Sequence, residues 1–240
     1  MRAAGKVVAT ALGRIREAVA AGVTTKALDD IAVATVAELG ARSAFLGYDV
    51  GSGPYPASIC ASVNEAVVHG IPSDRVLNEG DIVAIDFGAE KDGMFADAAI
   101  TVPVGKIGPE LERLLKVTRE ALAKGIEQAR AGNRITDVSW AIQSHVEGHG
   151  YSLAEGLFGH GIGHRMHEPP NVPNIVIPGK GAAIEVGSGL AIEPMVNMGR
   201  AATRTLEDGW TVVTRDGSPS AHFEHTVLVG VDGPEIVTLE

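Results

Sequence analysis

The chain has 240 residues, 45% of them hydrophobic and 21% charged, with a formal net charge of -10. That is enough apolar material for one cored domain, expected over residues 1–240, and the acidic balance without a Lys/Arg cluster argues against a general DNA binder. The lone cysteine, Cys60, excludes an intramolecular disulfide framework and suits a reducing, cytoplasmic setting; no apolar run nears the roughly 20 residues of a membrane span, and Met1-Arg2 leads into a helical pattern rather than a signal peptide.

In chain order, Val7, Val8, Ala11, Leu12, Ile15 and Val19 form a 3.6-period stripe that predicts a helix over 3–20, stopped by Gly22. Thr24 or Thr25 can cap a second helix carrying Leu28, Ile31, Val36 and Leu39 and ending at Gly40. Glycines and prolines mark 45–55 as a loop, with short strands expected over 58–63 and 66–70. A hairpin follows, then helices over 109–130 and 136–149 separated by Gly132, and a tail of short strands and glycine-rich turns. The mixture is an α+β pattern.

Within the hairpin, Val83, Ile85 and Phe87 supply strand formers, Lys91-Asp92-Gly93 supplies the turn, and a strand resumes from Ala96 to Val102. With Lys91-Asp92 as the loop, Asp86 lies opposite Asp97; with Asp92-Gly93, Asp86 faces Ala99 and Asp97 is its diagonal neighbour on the same face. Either register brings two carboxylates together. Like charges that close are destabilising unless a proton or cation sits between them.

Sliding the sequence against itself by 110 residues matches Ala21-Gly22 to Ala131-Gly132, Leu28 to Val138, Val36 to Val146 and Gly40 to Gly150. At an offset of 107, the run from Gly80 to Asp86 answers the run from Gly187 to Glu193, so Asp86 and Glu193 are expected to end equivalent strands. Two helix-turn-helix units, each covering its own strands, predict a pseudo-twofold repeat with the site near the axis.

His160 sits among glycines in Phe158-Gly159-His160-Gly161-Ile162-Gly163, where backbone and ligand can approach closely. Glu193 and Glu224 are each expected in an otherwise apolar strand, where an unpaired carboxylate would cost several kcal/mol. Asp86, Asp97, His160, Glu193 and Glu224 together offer four negative charges and one imidazole, which balances two divalent cations. The hard, oxygen-rich donor set favours Mn, Co, Fe or Zn in a carboxylate-bridged pair over a thiolate site. His164, His145, His149, His222 and His225 read as surface or hydrogen-bonded core residues, and Cys60 as a pocket wall rather than a nucleophile.

The runs VNEAVVHGIP, IDFGAEKDGMFAD, GHGIGHRMHEPP, IEPMVN and FEHT, in this order and spacing, resemble the type I methionine aminopeptidases of the pita-bread fold over nearly the whole chain. The resemblance implies helices in a pseudo-twofold repeat over a curved antiparallel sheet. It also implies that Asp86 binds one metal, that His160 and Glu193 bind the other, and that Asp97 and Glu224 bridge both. His69 and His167 would hold the substrate and stabilise the tetrahedral intermediate, with Glu193 as the proton-shuttling carboxylate. A metal-bridging hydroxide would then remove initiator methionine from nascent chains with a small second residue. The bulky Arg2 should therefore leave this chain its own Met1.

The family's methionine pocket corresponds to Tyr55, Cys60, His69, Met166, His167 and Trp210, with Tyr48 and Phe45 nearby. A monomer with transient ribosome contact is the expected state. Two departures stand out: the loop from Tyr48 to Tyr55 is about four residues longer than the commonest bacterial form, and Met166 stands where an aromatic residue often sits. Three alternatives remain open. A proline-specific aminopeptidase or prolidase would share the five ligands but usually carries an additional N-terminal domain. A non-catalytic pita-bread binding protein should have lost ligands. An iron oxygenase needs fewer carboxylates than are present.

Overall fold

The structure, a computed structural model, describes every residue except Val50, Ser52, Lys180 and Glu240. Two of these fall in the lengthened loop from Tyr48 to Tyr55, so that part of the expectation lies outside the described residues. Helix α1 (Arg2–Ala18) turns Ala4, Val7, Val8, Ala11, Leu12 and Ile15 inward, the face its periodicity predicts. Helix α2 (Thr25–Glu38) begins at Thr24, whose hydroxyl accepts from the Ala27 amide at 3.2 Å.

Strands β1 (Arg42–Ser43), β2 (Cys60–Val63) and β3 (Ala66–Val68) precede the hairpin of β4 (Ile82–Lys91) and β5 (Met94–Pro103). Helix α3 (Pro109–Gln128) has proline in its first turn, where no amide is needed, with Glu110 and Glu112 against the positive end of its dipole. Helix α4 (Ile135–Gly148) is capped by the Asp137 carboxylate, which accepts from the Arg134 amide at 2.7 Å. The tail then supplies β6 (Ser152–Leu153), β7 (Phe158–Gly161), β8 (Glu168–Pro173), β9 (Gly189–Ile192), β10 (Met195–Asn197), β11 (Thr203–Thr205), β12 (Val212–Thr214), β13 (Ser220–His222), β14 (Glu224–Val229) and β15 (Pro234–Ile236).

The principal sheet is a curled antiparallel half-barrel in the order β1-β4-β5-β14-β9-β7-β8, with β2 also paired to β4 and β15 to β14. Period-2 alternation separates its faces. Val83, Ile85 and Phe87 of β4 and Ala96, Ala98 and Val102 of β5 pack beneath α1 and α2. Leu190 and Ile192 of β9, with Val227 and Val229 of β14, pack beneath α3 and α4. Asp86, Asp97 and Glu224 alternate with these residues and face the other way.

The halves repeat in detail. Gly22 donates to the Leu77 carbonyl at 2.8 Å, and Gly132 to the Ile184 carbonyl at 3.1 Å. Gly80 and Gly187 turn with the same φ of +93°. Two matching threonines clamp β5 to β14 and to the end of β13 just before it. The Thr226 hydroxyl donates to the Asp97 carbonyl at 2.8 Å and accepts from the Asp97 amide at 2.8 Å. The Thr101 hydroxyl does the same with His222, at 2.7 and 2.9 Å.

Two expectations need correction. Asp86 does not end its strand, since β4 runs on to Lys91. Glu193 lies just beyond β9 rather than within a strand, because Pro194 has no amide to continue the ladder. Strand β8 carries three prolines on a strand that pairs on one side only, the position where a missing amide is tolerated.

Candidate metal centre

The hairpin settles its register through the turn. Asp92 and Gly93 both have positive φ, 55° and 75°, which is the two-residue turn that matches strand twist. Asp86 therefore faces Ala99, while Asp97 faces Gly88 and is diagonal to Asp86. Across the molecular axis Glu224 also pairs with Ala99. His160 lies in β7, directly beside Ala191 of β9, and the chain continues from β9 to Glu193. Four strands thus deliver Asp86, Asp97, His160 and Glu224 to one concave face, with Glu193 at its border.

His160 Nε2 is 4.0 Å from Asp97 Oδ2 and 3.8 Å from Glu193 Oε1. One donor atom each from Asp97, His160 and Glu224 lies within 4.8 Å of the other two. The His160 ring is aimed by its own strand: Nδ1–H donates to the Gly161 carbonyl at 2.9 Å, leaving the Nε2 lone pair toward the carboxylates. The flanking glycines are steric requirements. A Cβ at Gly159 would stand 2.3 Å from the Ala191 carbonyl oxygen, and one at Gly161 2.4 Å from that of Pro169.

These groups are incompatible with full ionisation in a dry site. Asp86 Oδ1, Asp97 Oδ1 and Glu224 Oε1 are buried without a hydrogen-bond partner. Burial, reinforced by the charges of Asp97 and Glu193, pushes the Asp86 carboxyl well above its usual range. Burial and the neighbouring carboxylates do the same to Glu193 and Glu224. Burial raises Asp97 to about 7, against hydrogen bonds from Asp86 and the Ala98 amide that pull it down. Burial and His167 lower His160 to about 4, so its imidazole is neutral. Carboxylates that need a positive partner, arranged around an imidazole with a free lone pair, fit divalent cations.

A cavity of about 250 Å³ opens over this cluster. Its floor is Asp86, Asp97, His160, Glu193 and Glu224, and its walls include all six expected pocket residues, Tyr55, Cys60, His69, Met166, His167 and Trp210. Tyr48 and Phe45 line it as well. The Tyr48 hydroxyl pairs with His167 Nδ1 at 2.5 Å, and the His167 and His160 rings lie 4.1 Å apart, tilted by 54°. His69 holds a left-handed φ of 59°, unusual for a residue with a side chain, and burial lowers its imidazole to about 4. Tyr55 donates to the carbonyls of Ile59 and Gly70, and burial pushes the Cys60 thiol up, which keeps it neutral.

The sequence profile of metallopeptidase family M24 matches residues 1–230. The methionine aminopeptidase of Clostridium perfringens is 48% identical over 100% of this chain and 94% of its own length. The chain belongs to the methionine aminopeptidases of metallopeptidase family M24. Among solved structures, the methionine aminopeptidase of Thermotoga maritima superposes with a TM-score of 0.96 at 44% identity, covering 100% of this chain and 95% of that one. The prolidase of Pyrococcus furiosus shares the fold, with a TM-score of 0.81 at 20% identity, but this chain covers only 63% of it. Family membership makes this a metallopeptidase fold with a place for divalent metal.

Against this family frame, several supporting residues escaped the sequence reading. His222 was expected at the surface or hydrogen-bonded in the core. It is 1% exposed, neither ring nitrogen has a hydrogen-bond partner, and Nε2 stands 3.7 Å from Glu193 Oε2. The threonine clamps place His222 where the other half has Asp97, an equivalence that the sequence offsets of 107 and 110 do not reach. Asp29, buried in α2, accepts from the Ser58 and Ile59 amides at 2.8 and 3.1 Å and fixes the approach to Cys60. Asp208 accepts from the Trp210 and Thr211 amides at 2.9 and 2.8 Å, forming the turn that presents Trp210. Neither aspartate belongs to a periodic pattern, so nothing local marks it. His164 is exposed as expected, and His225 is hydrogen-bonded to Thr238.

Proposed function

We propose that this chain hydrolyses the first peptide bond of polypeptides that begin with methionine, using two divalent cations held by Asp86, Asp97, His160, Glu193 and Glu224. One observation carries the reading: five ligand-type side chains, three of them (Asp86, Asp97 and Glu224) with an unsatisfied buried oxygen, floor the same cavity whose walls are largely apolar and sized for one side chain. When bound, such cations supply an acidified water and polarise the scissile carbonyl, in the general two-metal arrangement that aminopeptidases exemplify.

The chain's own residues do the rest. Phe45, Tyr55, Cys60, Met166 and Trp210 would enclose the methionine thioether, whose flexibility and polarisability suit a sulfur- and aromatic-lined wall. Below them, the floor that would hold the cations is where the substrate's free, neutral α-amine would be received, which selects the chain end. A second lobe of about 420 Å³ shares His69, His160, His167 and Glu193 with the first and is bordered by Leu157, Phe158 and Asn171, leaving room for the residues after the scissile bond. Glu193, 14% exposed on its side chain, can take a proton from the attacking water and return it to the leaving amine. His69 and His167 stand where both lobes meet and can hydrogen-bond the carbonyl.

The reading extends to cytoplasmic action on nascent chains by a monomer, with transient contact at the ribosome. No described helix is long and apolar enough to cross a membrane. The test is release of free amino acid from Met-Ala-Ser and Ala-Pro-Ser by metal-stripped protein titrated with Mn, Co, Fe or Zn. Metal-dependent cleavage of the first peptide alone, abolished in Asp97→Ala, is expected. Cleavage of the proline peptide alone would move the activity to the proline-specific branch, and silence on both with every metal would favour a binding role.

A further inference from the structure

Helices α3 and α4 carry a second set of metal-type donors remote from the cavity. His145 and His149 are one helical turn apart on α4, at i and i+4, and so share a face. Glu120 reaches them from α3. One donor atom from each of the three lies within 4.8 Å of the other two, and none of the three lines either lobe of the cavity.

We propose that Glu120, His145 and His149 form a separate binding site for a single zinc-class divalent cation, with the remaining coordination position open to water. The donor orientations support it. His149 Nδ1–H donates to the His145 carbonyl at 2.7 Å, the backbone anchor typical of metal-ligating histidines, and this leaves the Nε2 lone pair free. His145 Nε2 and Glu120 Oε2 stand 3.2 Å apart. Two donors at zinc bond lengths of about 2.0–2.1 Å in a tetrahedron are separated by roughly 3.3 Å, so this edge is already set. The cation takes Nε2 of His145, and that ring then carries its single proton on Nδ1.

The two rings lie 4.4 Å apart at 50°. The His145 side chain is only 10% exposed, which holds its ring in place between the two helices. Opposing charges are few and peripheral. Lys116 Nζ is 3.9 Å from Glu120 Oε1 in an exposed pair of small energetic weight, Lys124 acts on His145 through space, and Arg113 is engaged with the His149 carbonyl at 3.0 Å. Two imidazoles and one carboxylate are a borderline donor set, suited to zinc and poorly suited to magnesium or calcium. An ion there would tie α3 to α4.

The test compares metal-stripped full-length wild type with a His145→Ala/His149→Ala double variant, titrating Zn²⁺ against a chromogenic chelator. Wild type should bind one equivalent more than the double variant, and Glu120→Gln should bind that equivalent at least about 10-fold more weakly. With Co²⁺ as probe, wild type should show an additional visible ligand-field band that the double variant lacks. At a hundredfold excess of Zn²⁺ over the site's Kd, Tm should rise about 5–10 °C more in wild type than in the double variant. Equal stoichiometry in the two proteins would overturn the site. Should the double variant fail to fold, the single change at exposed His149 decides: unchanged zinc affinity in His149→Ala also overturns it.

Discussion

Asp97 concentrates the chemistry of the centre in one residue. It is 4% exposed, diagonal to Asp86, 4.0 Å from His160, and raised to about 7 by burial. A carboxyl whose folded pKa exceeds its unfolded value near 3.8 contributes stability that is full below about pH 4 and lost as pH rises through 7. Metal-stripped Asp97→Asn should therefore gain stability over stripped wild type across that window, by on the order of 2–4 kcal/mol at neutral pH. Denaturant melts from pH 4 to 8 measure this difference; with the cations bound, the order should reverse. His222 gives a second prediction at this scale. Its buried imidazole, without a hydrogen bond in the metal-free protein, stands 3.7 Å from Glu193, where a hydrogen bond formed in the loaded site would orient that carboxylate. His222→Ala should lower kcat about 10- to 100-fold with little change in KM, a split that steady-state kinetics on a methionyl peptide resolves. An equal loss in KM would assign His222 to substrate binding instead.

Among the elements, legibility in the sequence follows how local the determining physics is. The four helices were readable because periodicity, the Thr24 cap and the glycine stops are contiguous signals. The Asp86–Asp97 pairing was readable because alternation holds in either register; choosing between registers needed the φ values of Asp92 and Gly93. Strands β7 and β8 were not readable, since they are held by partners distant in sequence and their glycines serve close packing rather than turns. All five expected ligands and all six pocket residues line one cavity, whereas Asp29, Asp208 and His222 act through contacts no local pattern marks. The β7 glycines yield a sharp test. Gly159→Ala places a methyl 2.3 Å from the Ala191 carbonyl, so β7 must leave β9 and carry His160 with it. It should destabilise the fold by about 1–3 kcal/mol and weaken metal binding, read from Tm and metal stoichiometry together. Gly22→Ala, with open space around the added methyl but a φ of +90°, should cost stability without touching metal affinity.

At the scale of the whole molecule, the repeat explains why a metal centre can sit on a seam between halves. Strands β5 and β14 meet along the pseudo-twofold axis, and each half contributes proposed ligands that strand pairing with the other half helps to hold. Thr226 clamps the Asp97 backbone, and its symmetry mate Thr101 clamps that of His222. The clamps are geometrically equivalent, but their cargo is not: one holds a proposed metal ligand and the other a residue that faces Glu193. Thr→Val at either position removes the hydroxyl while nearly conserving volume, and strands a buried amide, at a cost of about 1–3 kcal/mol. Both variants should therefore lose similar stability in the metal-free state. They should differ once loaded, with Thr226→Val weakening metal affinity through Asp97 and Thr101→Val lowering kcat through His222 and Glu193. Calorimetric metal titration beside steady-state kinetics separates the two effects. Identical losses in both readouts would mean that the seam transmits strain as a unit, and that the two halves have kept their symmetry in energetics as well as in backbone.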